Sequence, residues 1–438
     1  MFLIRRVLIP TAIILCITFS LVAQSPWPTE QGDNYNSGWC QSVVGPSDPQ
    51  VWIMRITEDF DSLPIIANDG TIVISGSERD QSANARRFYV YLIKLTSNRR
   101  DVWRVFQYET LDKVESTPTI TYNGNVAAVD VSGILYYFDP EGEELAEPLQ
   151  LCEEDSNRND RPIRASTWDE SIFCVLDDPA RASGDRTRIF RVDLASSRVI
   201  WVRGACSHWE ENLSIGHHFV LSTTGDPILP IRWGDEAFLI YSRNSGKCYD
   251  SGHNHPNGIQ PDYYTWTAVV PAGPFEGDLL ITDSNPASLR HIERSTYKVL
   301  WDTEESLPEQ EFSASKGAAV TDRYVIAHDS SPSGRTDVVI LWLDDGSEYK
   351  RLEDFDDNAA GAPVVDADSK IYVVENVFLD GVIVYCYNRV GNLVFRKYLA
   401  EYTPTQRMGL AFLETGELVV PLDDNDKDNA FIAIFQDW

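Results

Sequence analysis

The chain has few methionines, three in 438 residues, and too few bases for its acids, with 37 Lys and Arg against 67 Asp and Glu. Beyond residue 24 it lacks any apolar run that could cross a bilayer, and no long stretch places apolar residues at helical spacing. No two cysteines are adjacent or spaced C-x-x-C, and neither a G-x-S-x-G run nor a phosphate-binding loop occurs. Each absence removes a class. A formal charge of −30 repels nucleic acid and anionic lipid, whose binding needs Lys and Arg to displace counterions. Cations and basic protein surfaces are the compatible partners. Thiolate zinc sites, nucleophile-elbow hydrolases and P-loop nucleotidases lose their signatures. Without helical periodicity, and with aromatic and β-branched residues plentiful, the protein reads as nearly all β.

What is present is a repeat. Ser116 to Leu145 reads as three short strands, Thr119 to Thr121, Val126 to Val131 and Ile134 to Phe138, turning at Asn123-Gly124 and Ser132-Gly133. A nine-residue frame recurs: Pro64 to Ile72, Pro118 to Val126, Pro363 to Ile371, and Leu410 to Leu418 with Leu in place of Pro. Its third and ninth positions are apolar, and Asp, Asn or Thr followed by Gly or Ser makes the turn, which describes a hairpin from a strand A to a strand B. Degenerate copies start near Pro162, Ser214, Thr267 and Gly317. Eight units at about 50-residue spacing predict an eight-bladed β-propeller of four-stranded antiparallel blades, with seven blades as the alternative. Asp193 to Trp201 and Glu293 to Trp301 each put an acid eight positions before a Trp, and Val102-Trp103 ends a similar run. Each such Trp is expected to pack beside the next blade. Val51 to Ile56 is a strand without a blade, and the last unit has three strands, so the two together close the ring and remove an exposed edge.

Met1 to about Gln24, with Arg5 and Arg6 ahead of an apolar run from Val7 to Val22, has the pattern of a secretory signal peptide; an N-terminal membrane anchor is the alternative. Residues 25–50 form a lead-in and 51–438 the propeller. The expected location is secreted or extracytoplasmic, as a monomer without membrane contact once the signal is removed. An exported chain retains Cys40, Cys152, Cys174, Cys206, Cys248 and Cys386, an even number that predicts at least two disulfides in one of fifteen pairings. Cys152 with Cys174, closing a loop at a blade junction, is the first candidate. Asn212, in Asn212-Leu213-Ser214, is a glycosylation acceptor in a eukaryotic secretory pathway.

Gly133-Ile-Leu-Tyr-Tyr-Phe-Asp-Pro-Glu-Gly142, the Asp193 to Trp201 run and the lead-in Trp27-Pro-Thr-Glu-Gln-Gly-Asp33 resemble the pyrroloquinoline-quinone-type repeat propellers. Members include quinoprotein dehydrogenases and the outer-membrane assembly lipoprotein. Taken literally, the resemblance implies a quinone over the central channel, a bound Ca²⁺ and an Asp general base. The adjacent cysteines that touch the cofactor in family dehydrogenases are missing and the chain is short for that class, so neither quinone nor Ca²⁺ is expected, no catalytic residue is assigned, and an enzyme is the second reading.

Two metal candidates are weaker than their structural readings. Asp424-x-Asp426-x-Asp428 lacks the Gly and Glu of a Ca²⁺ loop and reads as a hairpin tip. His208, His217, His218, His253 and His255 fall close together, but His217 and His218 would point to opposite faces of a strand. The chain spends its length elsewhere. Its B to C connections (Gly76 to Arg87, Asp177 to Thr187, Asp329 to Asp337, Asp423 to Asn429) and D to A crossings (Cys152 to Arg161, Ser251 to Tyr264, Thr303 to Ser313) are long and open on one face. That predicts a non-catalytic module binding a protein or small ligand there. Within Ser251 to Trp266, His253, His255, Tyr263, Tyr264 and Trp266 are the candidate contacts, with an aromatic plug over the channel as the rival reading and Trp266 placed either in the loop or in the next strand.

Overall fold

The computed structural model describes residues 37–437 except 61, 81–84, 96–100, 111–117, 131–132, 153–163, 178–186, 205–219, 231–237, 251–265, 285–286, 308–311, 313–316, 331–335, 353–354, 356–357, 378–380, 405–408 and 425–428. Strands follow one another as four-stranded antiparallel meanders, inner strand A to outer strand D, over 65–110, 119–150, 164–204, 220–250, 267–302, 318–352 and 358–400, and 411–436 supplies the inner three strands of one more. These are eight blades, so the seven-blade alternative falls. The degenerate copies are real units: inner strands lie at Arg164–Trp168, Val220–Leu221, Thr267–Val269 and Ala318–Val320.

The eighth blade is completed from the other end of the chain. Gln50–Thr57 pairs antiparallel with Ala430–Gln436, from Gln50 opposite Gln436 to Thr57 opposite Ala430, with a bulge after Arg55. Its amide edge is thereby satisfied by the N-terminal strand.

Local chemistry sets the A–B turns. In blade 7 the Asp366 Oδ1 accepts N–H bonds from Asp368 at 2.9 Å and Lys370 at 2.8 Å, and Ser369 sits at φ 60° where the frame elsewhere uses Gly. In blade 2 the same place is Gly124 at φ 84°.

The cores lie between blades, and tryptophans dock them together as expected. The Trp201 indole lies where a Cβ on Gly246 would sit within 2.6 Å, and its N–H donates to the Arg243 carbonyl at 2.9 Å. Trp301 repeats this on Gly346 and the Leu343 carbonyl, at 2.6 and 2.8 Å. Between blades 6 and 7 the docking position belongs to Lys350, whose stem covers Gly391. A half-buried aromatic group, Tyr324, Trp342 and Tyr349, stands beside it, with ring centroids 4.9 to 5.3 Å apart.

Two expected loops are strands. Gly76 pairs with Tyr89 and Arg79 with Arg86, so Gly76 to Arg87 is a hairpin that outruns the core. The ends of Asp329 to Asp337 are strand as well, Asp329 opposite Asp337 and Ser330 opposite Thr336, while 331–335 lie outside the described residues. Such paired ends carry polar and charged residues instead of an apolar alternation, which is why they resemble loops in sequence. The crossing after Asp302 contains a one-turn helix, Thr303–Ser306, whose first turn is capped by the Asp302 carboxylate.

Candidate binding face

A four-stranded meander puts its A–B and C–D turns at one end and its B–C and D–A connections at the other. The ring therefore has a turn face and a loop face. The strand limits leave the crossings 151–163, 205–219, 251–266 and 303–317 on the loop face, while most turns opposite span five residues or so, as at 67–71, 121–125 and 388–392. One turn breaks the pattern. The A–B turn of blade 5, 270–278, reaches both neighbours, with Gly273 against Asp322 and Gly277 near Thr223.

On the turn face the lead-in straps blades 6 to 8. Val320 N–H donates to the Ser37 carbonyl at 2.6 Å, Val365 N–H to Gly38 at 2.8 Å, and Cys40 N–H back to Val365 at 2.8 Å, so residues 37–40 run along the inner edges of blades 6 and 7. The chain then crosses the A–B turns of blades 7 and 8. At Gly45 a Cβ would lie 2.5 Å from the Tyr372 hydroxyl and 2.6 Å from the Phe412 ring, a closeness only glycine allows. Gly45 N–H donates to Asp366 Oδ2 at 2.8 Å, Lys370 Nζ lies 3.4 Å from the same oxygen, and Tyr372 donates to Pro46 O at 3.0 Å. Burial raises the Asp366 pKa although four donors surround it.

On the loop face a cleft of about 340 Å³ opens at the closing seam, lined by Arg55, Ile56, Glu58 and Glu78. Tyr91 Oη donates to Thr57 Oγ1 at 2.9 Å, and Thr57 Oγ1 to the Ser77 carbonyl at 2.8 Å, so buried hydroxyls tie the seam together beneath it. Glu58 Oε2 accepts the Arg79 N–H at 2.6 Å. Two carboxylates against one guanidinium leave the cleft acidic. At blade 6, Arg351 Nη1 reaches Asp329 at 2.7 Å and Asp337 at 3.1 Å, and Nη2 reaches Glu348 at 3.1 Å. Burial opposes the Arg351 charge, and the hydrogen bonds to Asp329 and Asp337 outweigh it, raising its pKa.

Of the candidate contacts, His253, His255, Tyr263 and Tyr264 lie outside the described residues, as do Asn212, Cys206, His208, His217 and His218. Trp266 is a correction. It is fully buried between blades 5 and 6 among Phe312, Val320 and Leu343, and its N–H donates to Thr282 Oγ1 at 2.8 Å, so it belongs to the following strand and offers a partner no surface. Of the Asp424-x-Asp426-x-Asp428 run, only Asp424 is described; its carboxylate takes the Asn429 amide at 2.6 Å, bracing the hairpin. Among the described residues no three His, Cys, Asp or Glu side chains converge as a metal site.

The five described candidate cysteines are thiols. Cys152 and Cys174 share one core cluster between blades 2 and 3. Burial raises the Cys174 pKa and pushes Cys386 up to about 12, which keeps both protonated and poor as nucleophiles.

Sequence reasoning missed a buried dyad. His291 Nδ1 donates to the Leu343 carbonyl at 3.0 Å and Nε2 lies 3.2 Å from Asp278 Oδ2. Phe275 and Trp301 cover the ring edge-on, at 5.2 and 5.6 Å. The pair resembles a general base and its orienting acid, yet the imidazole is fully buried, so it fastens the blade 5 turn and reaches no substrate.

Solved structures share the ring. A europium-containing methanol dehydrogenase superposes with a TM-score of 0.60 at 10% identity, over 94% of this chain and 98% of that one. BamB from Moraxella catarrhalis gives 0.55 at 16%, over 89% and 99%. Sqt1 from Saccharomyces cerevisiae gives 0.53 at 11%, over 89% and 98%. No family model matches the sequence, and no curated protein does. At these identities the likeness is one of fold.

Proposed function

We propose that this chain is an exported, non-catalytic propeller that binds a protein or small ligand on its loop face. The observation behind the reading is the asymmetry of the ring. Chain length collects in the crossings 205–219, 251–266 and 303–317, while the opposite face is short-turned and strapped by the lead-in. Long connections on a rigid scaffold are where recognition concentrates. Partners of positive charge suit the acidic cleft between Glu58 and Glu78.

The test replaces Tyr263 and Tyr264 with Ser and measures both melting temperature and capture of ligands from native secretions. Capture lost with melting retained supports the reading. Melting that falls with capture retained assigns the crossing to packing and removes it from the binding surface. The methanol dehydrogenase likeness favours a quinoprotein oxidoreductase as the second reading. Added pyrroloquinoline quinone would then raise the melting temperature and give dye-linked oxidation, and neither is expected. In an oxidising compartment Cys152 and Cys174 would pair; titration of the unfolded, unreduced protein should find few thiols, and finding all six would sink both the pairing and the export.

A further inference from the structure

The rim of blade 7 differs from the rest of the ring. Its outer strand, Leu393–Ala400, is eight residues long, contains neither Pro nor Gly, and ends its sheet among the described residues. Leu393, Val394 and Tyr398 are exposed, Tyr398 by 52%, and Val390 in the preceding turn is exposed too. Several other outer strands are blunted. Blade 2 has Pro148 in its outer strand, and blades 4 and 5 have only Cys248–Asp250 and Val299–Asp302. In blade 3 the Arg203 guanidinium folds back onto the Val202 carbonyl at 2.7 Å. Blade 6 has only Glu348–Leu352, whereas the outer strands of blades 1 and 8, Asp101–Thr110 and Gln50–Thr57, are also long and free of Pro and Gly.

The charge on this rim is also reversed. In a chain of formal charge −30, Lys350, Arg389, Arg396 and Lys397 gather at or beside the strand, against Asp48, which lies 3.6 Å from Lys397 Nζ, and Glu401. The Arg396 guanidinium lies 5.8 Å from the centre of the Tyr385 ring. A second copy of the strand is a poor occupant. Antiparallel self-pairing about its centre puts Arg396 opposite Lys397 twice, and like charges directly opposite destabilise a ladder.

We propose that Leu393–Ala400 takes an added antiparallel strand from an acidic, extended segment of a partner protein. The register fixes its pattern. Acids stand opposite Arg396 and Lys397, and apolar residues opposite Val394 and Tyr398, giving apolar, acid, acid, any residue, apolar along the partner. Main-chain hydrogen bonds supply affinity and the paired charges supply selection. This site is separate from the loop face, and the two together would let one propeller hold two proteins.

The probe is a fluorescent peptide, Thr-Val-Asp-Glu-Thr-Val-Thr, titrated at about 0.15 M salt, with a Lys-Lys version in place of Asp-Glu. The acidic peptide should bind the wild-type protein and weaken about tenfold on the double variant Arg396→Glu with Lys397→Glu, corresponding to two exposed charge pairs. The Lys-Lys peptide should gain on that variant by a similar factor. Amide hydrogen exchange at Val394 to Tyr398 should slow when the acidic peptide saturates the protein. A second variant, Tyr398→Ser, keeps both charges and should weaken binding with an unchanged salt slope. No binding by wild type, equal binding by the charge-reversed variant with its melting intact, or protection elsewhere on the ring would each overturn the proposal. So would a concentration-dependent dimer that the double variant abolishes, since the occupant would then be a second copy.

Discussion

On the turn face of blades 6 and 7, Asp366 is fully buried and takes N–H bonds from Gly45, Asp368 and Lys370, all but one of them local. On the loop face of the same blades, Arg351, still 20% exposed, holds Asp329, Asp337 and Glu348 from three strands. Both are polar clusters at the ends of one pair of blades. The first is made by a turn that closes on itself and then captures the lead-in; the second is made by strands whose ends happen to be brought together. The turn face is consequently fixed wherever the nine-residue frame is intact, while the loop face is free to differ from blade to blade.

The largest break in that comparison is removal of the strap's continuation. Deleting Pro49 to Ile56 strips the outer edge of Ala430–Gln436 of its partner from Phe431 to Gln436, leaving only the pairing with Leu418–Asp424. The expected result is aggregation and loss of a cooperative melt, seen by light scattering during thermal denaturation. A monomeric truncation with unchanged melting would place ring closure elsewhere.

Asp366→Ala tests the turn face itself. It strands the Gly45 and Lys370 amides and leaves the Lys370 ammonium buried without its carboxylate. A loss of about 3–5 kcal/mol is expected in urea unfolding. Arg351→Met is the matching change on the loop face; its pairs with Asp337 and Glu348 are partly exposed and only the one with Asp329 is buried, so a smaller loss of about 1–3 kcal/mol is expected. Equal losses for the two variants would erase the distinction between the faces.

The smallest effect concerns pH. Burial holds the His291 pKa below its ordinary value, with the Asp278 charge opposing. As pH falls, the unfolded chain gains the proton first, near pH 6.5. The contribution is therefore complete above that value and is lost as pH drops toward the depressed folded value. Below about pH 6.5, His291→Gln should flatten the decline of stability followed by urea unfolding. A parallel decline in both proteins would show that the folded and unfolded imidazoles take up the proton alike.

The features legible in the sequence were those written in neighbouring residues. Asn123-Gly124 and Asp366 to Lys370 specify their turns by side-chain and glycine chemistry alone, and Trp201 and Trp301 announce docking because an acid marks the strand start eight residues earlier. Ring closure was legible too, from one strand too many at the start and one too few at the end. The lead-in path was not. Gly45 has no local partner that explains it, and its carboxylate lies 321 residues away. Trp266 misled because a polar, aromatic loop precedes it, whereas the residue's place is set by the apolar Thr267–Val269 strand that follows. The rim of blade 7 was invisible for a different reason: LVFRKYLA alternates as any outer strand would, and only its adjacent bases in a chain of formal charge −30 single it out.

The seam between Gln50–Thr57 and Ala430–Gln436 also sets a schedule. The first of these strands leaves the ribosome 373 residues (430 − 57) ahead of its partner. At ~5–20 residues per second it waits roughly 20–75 s with Trp52 and Ile53 at an open amide edge. For that interval the nascent chain holds a sticky strand with nothing to pair, so the time of greatest exposure to misassembly falls during synthesis. A chaperone that holds extended chain would be needed at the beginning of the sequence and dispensable once the final hairpin is made.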